Sequence, residues 1–257
     1  MNGLFICMIR LTTLLAETRQ DSVAREMASN AIKQLKAFRR YAAVEEPEDF
    51  EDDYEMYDEA AEDAVESSYP FETKDGSKNI SVDTIIVVRG DKRYKKGDYE
   101  GGALGKKDIA RGYNVRGSVA GAGDGVMELV LVLNRSTFDN LEPRLSEIYY
   151  SLISVARHEL EHIFQSSKSF KTSGREQDRT RDVDPSFSKR KSQKHYRLLP
   201  TEMEADAKAI NLLKKKRRIP FEQAARDYYS AISQVHKGDV DGLVKAVMQY
   251  SKQFNFG

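Results

Sequence analysis

From Leu11 to Phe38 the apolar residues Leu11, Leu14, Leu15, Val23, Met27, Ile32, Leu35 and Phe38 keep to one helical face, which predicts a long helix over 11–43. Thr12 or Thr13 can cap it. The stretch 45–66 breaks this pattern with acidic residues around Phe50, Tyr54 and Tyr57, and reads as disordered or as a helix held against a basic surface. The β-branched run Ile80 to Val88 predicts a strand, entered by a turn at Asp75-Gly76. Residues 97–125 hold nine of the 16 glycines and read as flexible connections between short strands, because no phosphate-binding glycine motif occurs there. Val126 to Leu133 predicts a second strand.

The helical period returns at Leu141. Leu145, Ile148, Tyr149, Leu152, Val155, Ile163 and Phe164 make an apolar stripe that runs to Gln165. A polar loop over 166–196 follows, then helices near 201–215, 220–237 and 240–254. The order helix, strands, helix, loop, helices predicts an α+β fold.

Composition narrows the function classes. The 257 residues carry 41 Lys+Arg and 41 Asp+Glu, so the net charge is zero and nothing argues for wholesale binding to nucleic acid or to an anionic membrane. The charge is segregated along the chain. Residues 45–72 hold 14 acidic residues and no Lys or Arg, whereas 166–197 hold 10 basic against 4 acidic ones. Such blocks read as solvated faces or disordered tails; the alternative is that the two segments meet, the acidic one lying over the basic loop as a built-in inhibitor. The single cysteine, Cys7, rules out an intrachain disulfide framework and a thiolate zinc cluster. No apolar run approaches the roughly 20 residues of a membrane span. Leu4 to Ile9 makes a poor signal peptide, and Met8 would serve as a start as well as Met1. The expectation is a soluble protein of a reducing, cytoplasmic compartment.

The chemistry is concentrated at Val155-Ala-Arg-His-Glu-Leu-Glu-His162. His158 and His162 stand four apart, so both project from one helical face and can close on a single zinc ion. Glu159 follows the first histidine and can reach a zinc-bound water as general base without ligating the metal. The helix is flanked by Ile153, Val155, Ile163 and Phe164, and polar groups buried among these need a partner that satisfies them. A catalytic zinc takes a third protein ligand. The extension HExxHxxGxxH does not supply it, since Gln165 and Lys168 stand where its glycine and third histidine would be. Downstream, Thr201-Glu-Met-Glu-Ala-Asp206 opens a helix with two candidates, Glu202 and Glu204. Thr201 with Glu204 also fits a capping box, unless Pro200 is the first helical residue and Leu199 the cap. Tyr196 and His195, just before that helix, are candidates for a second electrophile.

His158-Glu-Leu-Glu-His162 followed by Glu202-Met-Glu-Ala-Asp-Ala207 resembles the gluzincin-type metallopeptidases. It is most similar to small HExxH peptidases encoded by tailed bacteriophages, and more loosely to the ImmA/IrrE group. The resemblance covers about residues 145–213. It implies a zincin-like fold, with a small antiparallel or mixed sheet packed on the HExxH helix. It also implies a zinc metalloendopeptidase acting on a protein or peptide substrate, in the host cytoplasm or the virion. Aligned on Glu-Ala, the phage and ImmA pattern selects Glu204 as third ligand. The thermolysin-like ExxxD pattern selects Glu202, with Asp206 behind a ligand histidine. In such enzymes the strand before the active helix, here Val126 to Leu133, commonly lies at a sheet edge and pairs with extended substrate, though its apolar character fits a central strand as well. The resemblance leaves residues 1–72 outside it, as an N-terminal helix and acidic segment before a peptidase domain over 73–257. The alternative is a virion-associated protein that binds zinc without cleaving peptides.

Overall fold

The computed structural model describes residues 2–42, 59–73, 76–89, 106–120, 125–165, 196–232, 235 and 237–254. Helix α1 spans Asn2–Ala42. The strands are β1 (Glu59–Thr73), β2 (Gly76–Arg89), β3 (Tyr113–Ala120) and β4 (Val126–Asn134). Short helices α2 (Lys106–Arg111) and α3 (Arg135–Asp139) flank the last two strands. The remaining helices are α4 (Leu145–Phe164), α5 (Pro200–Arg217), α6 (Phe221–Ala231) and α7 (Val240–Ser251). The fold is a mixed α+β one, with a four-stranded mixed sheet in the order β1-β2-β4-β3. β1 and β2 form an antiparallel hairpin, β2 and β4 run parallel, and β3 is antiparallel to β4.

One face of the sheet packs on α1 and α4. Ile86, Leu131 and Leu133 from the strands, Met27 and Leu35 from α1, and Leu152, Ile153 and Leu160 from α4 share one buried cluster. Each such side chain contributes roughly 1.5–3 kcal/mol by leaving water. A second cluster joins α5, α6 and α7 through Ile210, Phe221, Tyr229, Leu243 and Val247. The inner face of α4 thus belongs to the sheet, and its outer face meets the C-terminal helices. Among the described residues no helix is long and apolar enough to cross a membrane.

Three expectations change. The segment over 59–72 is neither helix nor disordered. It is most of β1, whose Ser67, Tyr69 and Phe71 alternate inward while the acidic Glu66 stays exposed. The boundary expected at 72/73 therefore falls inside a strand, and α1 shares its core with α4. Val126 to Leu133 is not an edge strand, because β4 lies between β2 and β3 and both its backbone flanks are paired. The edge next to it is β3, from within the glycine-rich stretch. Gly112, at φ 86, makes the left-handed turn that separates α2 from β3. The acidic residues of 45–58 and the basic loop 166–195 lie outside the described residues, and so does their expected contact.

Candidate metal centre

The site forms where α4, α5 and α6 converge, and helix periodicity sets its membership. On α4, His158 and His162 share the face turned away from the sheet. On α5, Glu202, Ala205, Asp206 and Ala209 recur three or four apart and make one buried stripe towards α4. Pro200 is the first residue of α5 and the extended Leu199 caps it, so Thr201 is not the cap and no capping box forms. Glu202 then falls in the first turn, pointing at the histidines. Glu204 lies about 200° further round the helix. It pairs with Lys208 Nζ at 3.1 Å, on a side chain 29% exposed. Of the two candidate carboxylates, the structure brings Glu202 to the histidines and places Glu204 elsewhere.

The Nε2 atoms of His158 and His162 approach to 2.9 Å. Glu202 Oε2 stands 3.4 Å from the first and Glu202 Oε1 3.3 Å from the second. Ligands at roughly 2.0–2.1 Å around a tetrahedral ion stand about 3.3–3.4 Å apart, which matches the two carboxylate–imidazole distances, whereas the two Nε2 atoms are closer, at 2.9 Å. Glu202 is 1% exposed, and its Oε2 accepts no hydrogen bond among the described residues. A buried carboxylate oxygen facing two imidazole nitrogens is the donor set of a cation site. The buried cluster His158, His162 and Glu202 can hold a metal ion.

The surroundings orient these ligands. His158 Nδ1 donates to Asp206 Oδ1 at 3.0 Å, and Tyr228 OH donates to the same oxygen at 2.7 Å. With Nδ1 so engaged, Nε2 is the nitrogen turned to the ligand cluster. His162 Nδ1 meets Gln165 Oε1 at 3.0 Å, and Gln165 Nε2 donates to the Thr201 carbonyl at 2.8 Å, which ties the end of α4 to the start of α5. Arg197 donates to Asp206 at 3.0 Å and lies 3.6 Å from Glu202. Burial works to lower the His158 pKa, but Asp206 and Glu202 outweigh it and hold it at about 10. Burial works to raise Glu202, yet its contacts with His158, His162 and Arg197 keep its carboxyl at about 2. The pocket favours positive charge at Nε2, as a metal site must, and a metal there displaces protons.

Glu159 is half-buried and lines the same cleft, a cavity of about 490 Å³ between β3 and the helices. It packs on Gly117 of β3. A Cβ at Gly117 would collide with Glu159 Cγ and stand 2.8 Å from Val155 Cγ1, so only glycine lets the edge strand lie this close to α4. Tyr196 also lines the cleft and hydrogen-bonds Glu202. Burial, and then the Glu202 charge, push its hydroxyl pKa well up, so it is a proton donor at neutral pH. His195 lies outside the described residues. Sequence reasoning did not single out Gly117, Arg197 or Tyr228. Tyr228 and Arg197 carry no local signal, being supplied by tertiary packing, whereas Gly117 interrupts an alternation that Tyr113, Val115 and Val119 otherwise keep.

Comparison of the chain with known families, with curated proteins and with solved structures found no match.

Proposed function

We propose that the chain is a zinc-dependent endopeptidase with a zincin-like fold, hydrolysing peptide bonds in an extended protein segment. The observation that carries the reading is the conjunction at one cleft of a His158, His162 and Glu202 donor triangle with the Glu159 carboxylate, which is no part of that triangle. A purely structural zinc has no use for such a base. Zinc, when bound, supplies a water of pKa roughly 7 and polarises the scissile carbonyl.

The chain's own residues do the rest. Glu159 accepts the proton of the attacking water and returns it to the leaving amine nitrogen. Tyr196 OH, protonated, turns its one hydrogen bond from Glu202 to the oxygen on which negative charge develops. Arg197, Asp206 and Tyr228 hold the His158 ring in one orientation throughout. β3 ends the sheet, so alternate backbone N–H and C=O groups along it are open to pairing with an added strand. Gly117 sets that strand against Glu159.

The test is cleavage of protein and peptide substrates by the zinc-loaded wild type and by Glu159→Gln. The expected result is a rate lower by about 10²–10⁴-fold in the variant at equal zinc content. Equal cleavage by the two would remove Glu159 from the chemistry. Zinc at one per chain with no cleavage by the wild type would leave a zinc-binding protein and no peptidase. Gly117→Ala is expected to retain zinc while kcat/KM falls by about 10²-fold, because the new methyl displaces the Glu159 side chain by about 1 Å or more. An unchanged kcat/KM would show that Glu159 does not work from the position it holds on β3.

A further inference from the structure

Beyond the donor triangle and Glu159, the cleft continues along α4 towards its N-terminus, past Ser154 and Ser151. Tyr228, Ala231 and Ile232 of α6 and its end form one wall there, and Arg111 at the end of α2 lines the same cavity. The arginine is held in place. Its Nη1 donates to the Ala231 carbonyl at 3.1 Å, and its guanidinium lies over the Tyr113 ring, 5.4 Å from the centroid. Tyr113 OH in turn meets Ser151 Oγ at 3.3 Å.

Arg197 is paired with Asp206 and Glu202. Arg111 has a carbonyl and a ring as partners, and among the described residues no carboxylate. A half-buried guanidinium with spare N–H donors and no counter-charge calls for an anionic acceptor.

We infer that Arg111 forms a carboxylate-binding subsite that selects peptides with an acidic side chain, or a chain-terminal carboxylate, within one or two residues of the scissile bond. This inference rests on the peptidase reading for the bond that is cut, but not for the carboxylate that is held. The distance suits it. Ser151, at the Arg111 end, precedes His158 by seven residues, about 10 Å of helix. An extended chain advances about 3.3 Å per residue, and a glutamate side chain reaches further sideways, so such a residue spans from the donor triangle to Arg111. Arg111 presents a planar fork anchored by Ala231 and Tyr113, which is the geometry that favours a carboxylate over a neutral amide.

A random peptide library, half with free and half with amidated C-termini, tests this with the zinc-loaded full chain. The wild type is expected to enrich Asp and Glu, or free C-termini, at one fixed position beside the cut. Arg111→Gln is expected to lose that enrichment by roughly 10- to 100-fold while still cutting neutral peptides. Arg111→Lys, which keeps the charge, is expected to retain part of it, and thereby separates lost charge from a disturbed α6. The two C-terminal forms distinguish a side chain from a terminus as the source of the carboxylate. The same library captured on immobilised Glu159→Gln chain, with and without Arg111→Gln, reads the subsite without any cleavage. Carboxylate-dependent capture lost with Arg111, but no cleavage by the wild type, would uphold the subsite and sink the peptidase. Identical capture by both chains, or identical cleavage profiles for wild type and Arg111→Gln, would overturn the subsite.

Discussion

Glu202→Ala is expected to lose bound zinc and all activity, while Glu204→Ala keeps both. Removing Glu202 takes away one donor of the triangle and leaves two imidazoles, whose shared affinity falls by well over the 10–100-fold seen when only a supporting partner is lost. Glu204 instead pairs with Lys208 on the far side of α5, where its loss costs at most about 1 kcal/mol of stability. Zinc per chain after dialysis against a weak chelator reads both variants at once. Retention by Glu202→Ala together with loss from Glu204→Ala would mean that α5 is rotated from the position described here. Asp206→Ala falls between the two, since it frees the His158 ring without removing a ligand.

The second large effect concerns stability and lies on the neighbouring face of α4, about 100° round the helix from the histidines. Arg157 is 1% exposed, yet it donates to Asp21 Oδ1 of α1 at 3.1 Å and to Glu161 Oε2 at 2.9 Å. Glu161 also receives Lys208 Nζ of α5 at 2.7 Å. This network fastens α1 and α5 to the helix that carries the histidines. Arg157→Ala leaves the buried Glu161 short of a partner and is expected to cost about 3–5 kcal/mol, a fall in Tm of about 10 °C for a chain of this size. Arg157→Met with Glu161→Met replaces both charges by apolar volume and is expected to recover much of that loss.

The pH dependence has a definite sign. Burial works to raise the Glu161 carboxyl, but Arg157 and Lys208 outweigh it and hold it below the usual carboxylate range. Its contribution is therefore full above the unfolded carboxylate pKa and lost as pH falls through the folded one. The gap between wild type and Arg157→Ala is expected to be full at neutral pH and to narrow in acid. A gap that widened on acidification would contradict the pairing.

How much of this could be read from the sequence follows from which interactions are local. The α4 part of the candidate donor cluster was legible because His158 and His162 belong to one helix, and four residues fix their common face. Its third member was not, because Glu202 and Glu204 differ only in how α5 is rotated against α4. In the structure Pro200 is the first helical residue of α5, which places Glu202 in its first turn. β2 and β4 were legible as runs rich in Val, Ile and Leu, buried on both faces over Ile86–Val88 and Leu131–Leu133. β1 was hidden by its charge, since its acidic residues mask an alternation carried by Ser67, Tyr69 and Phe71. β3 was hidden by Gly117, whose missing side chain looks like a loop signal and is in fact the space that Glu159 fills. The place of β4 inside the sheet rather than at its edge depends on β3, and so was lost with it.

The account stands most directly on the three-residue donor set. Diffraction data collected on either side of the zinc absorption edge, from crystals grown with one equivalent of zinc, test it in one measurement. The account predicts a single strong anomalous peak within coordination distance of His158 Nε2, His162 Nε2 and the Glu202 carboxylate, in the cleft faced by Glu159. A peak at Glu204 and Glu161, or none between the two histidines, would contradict it.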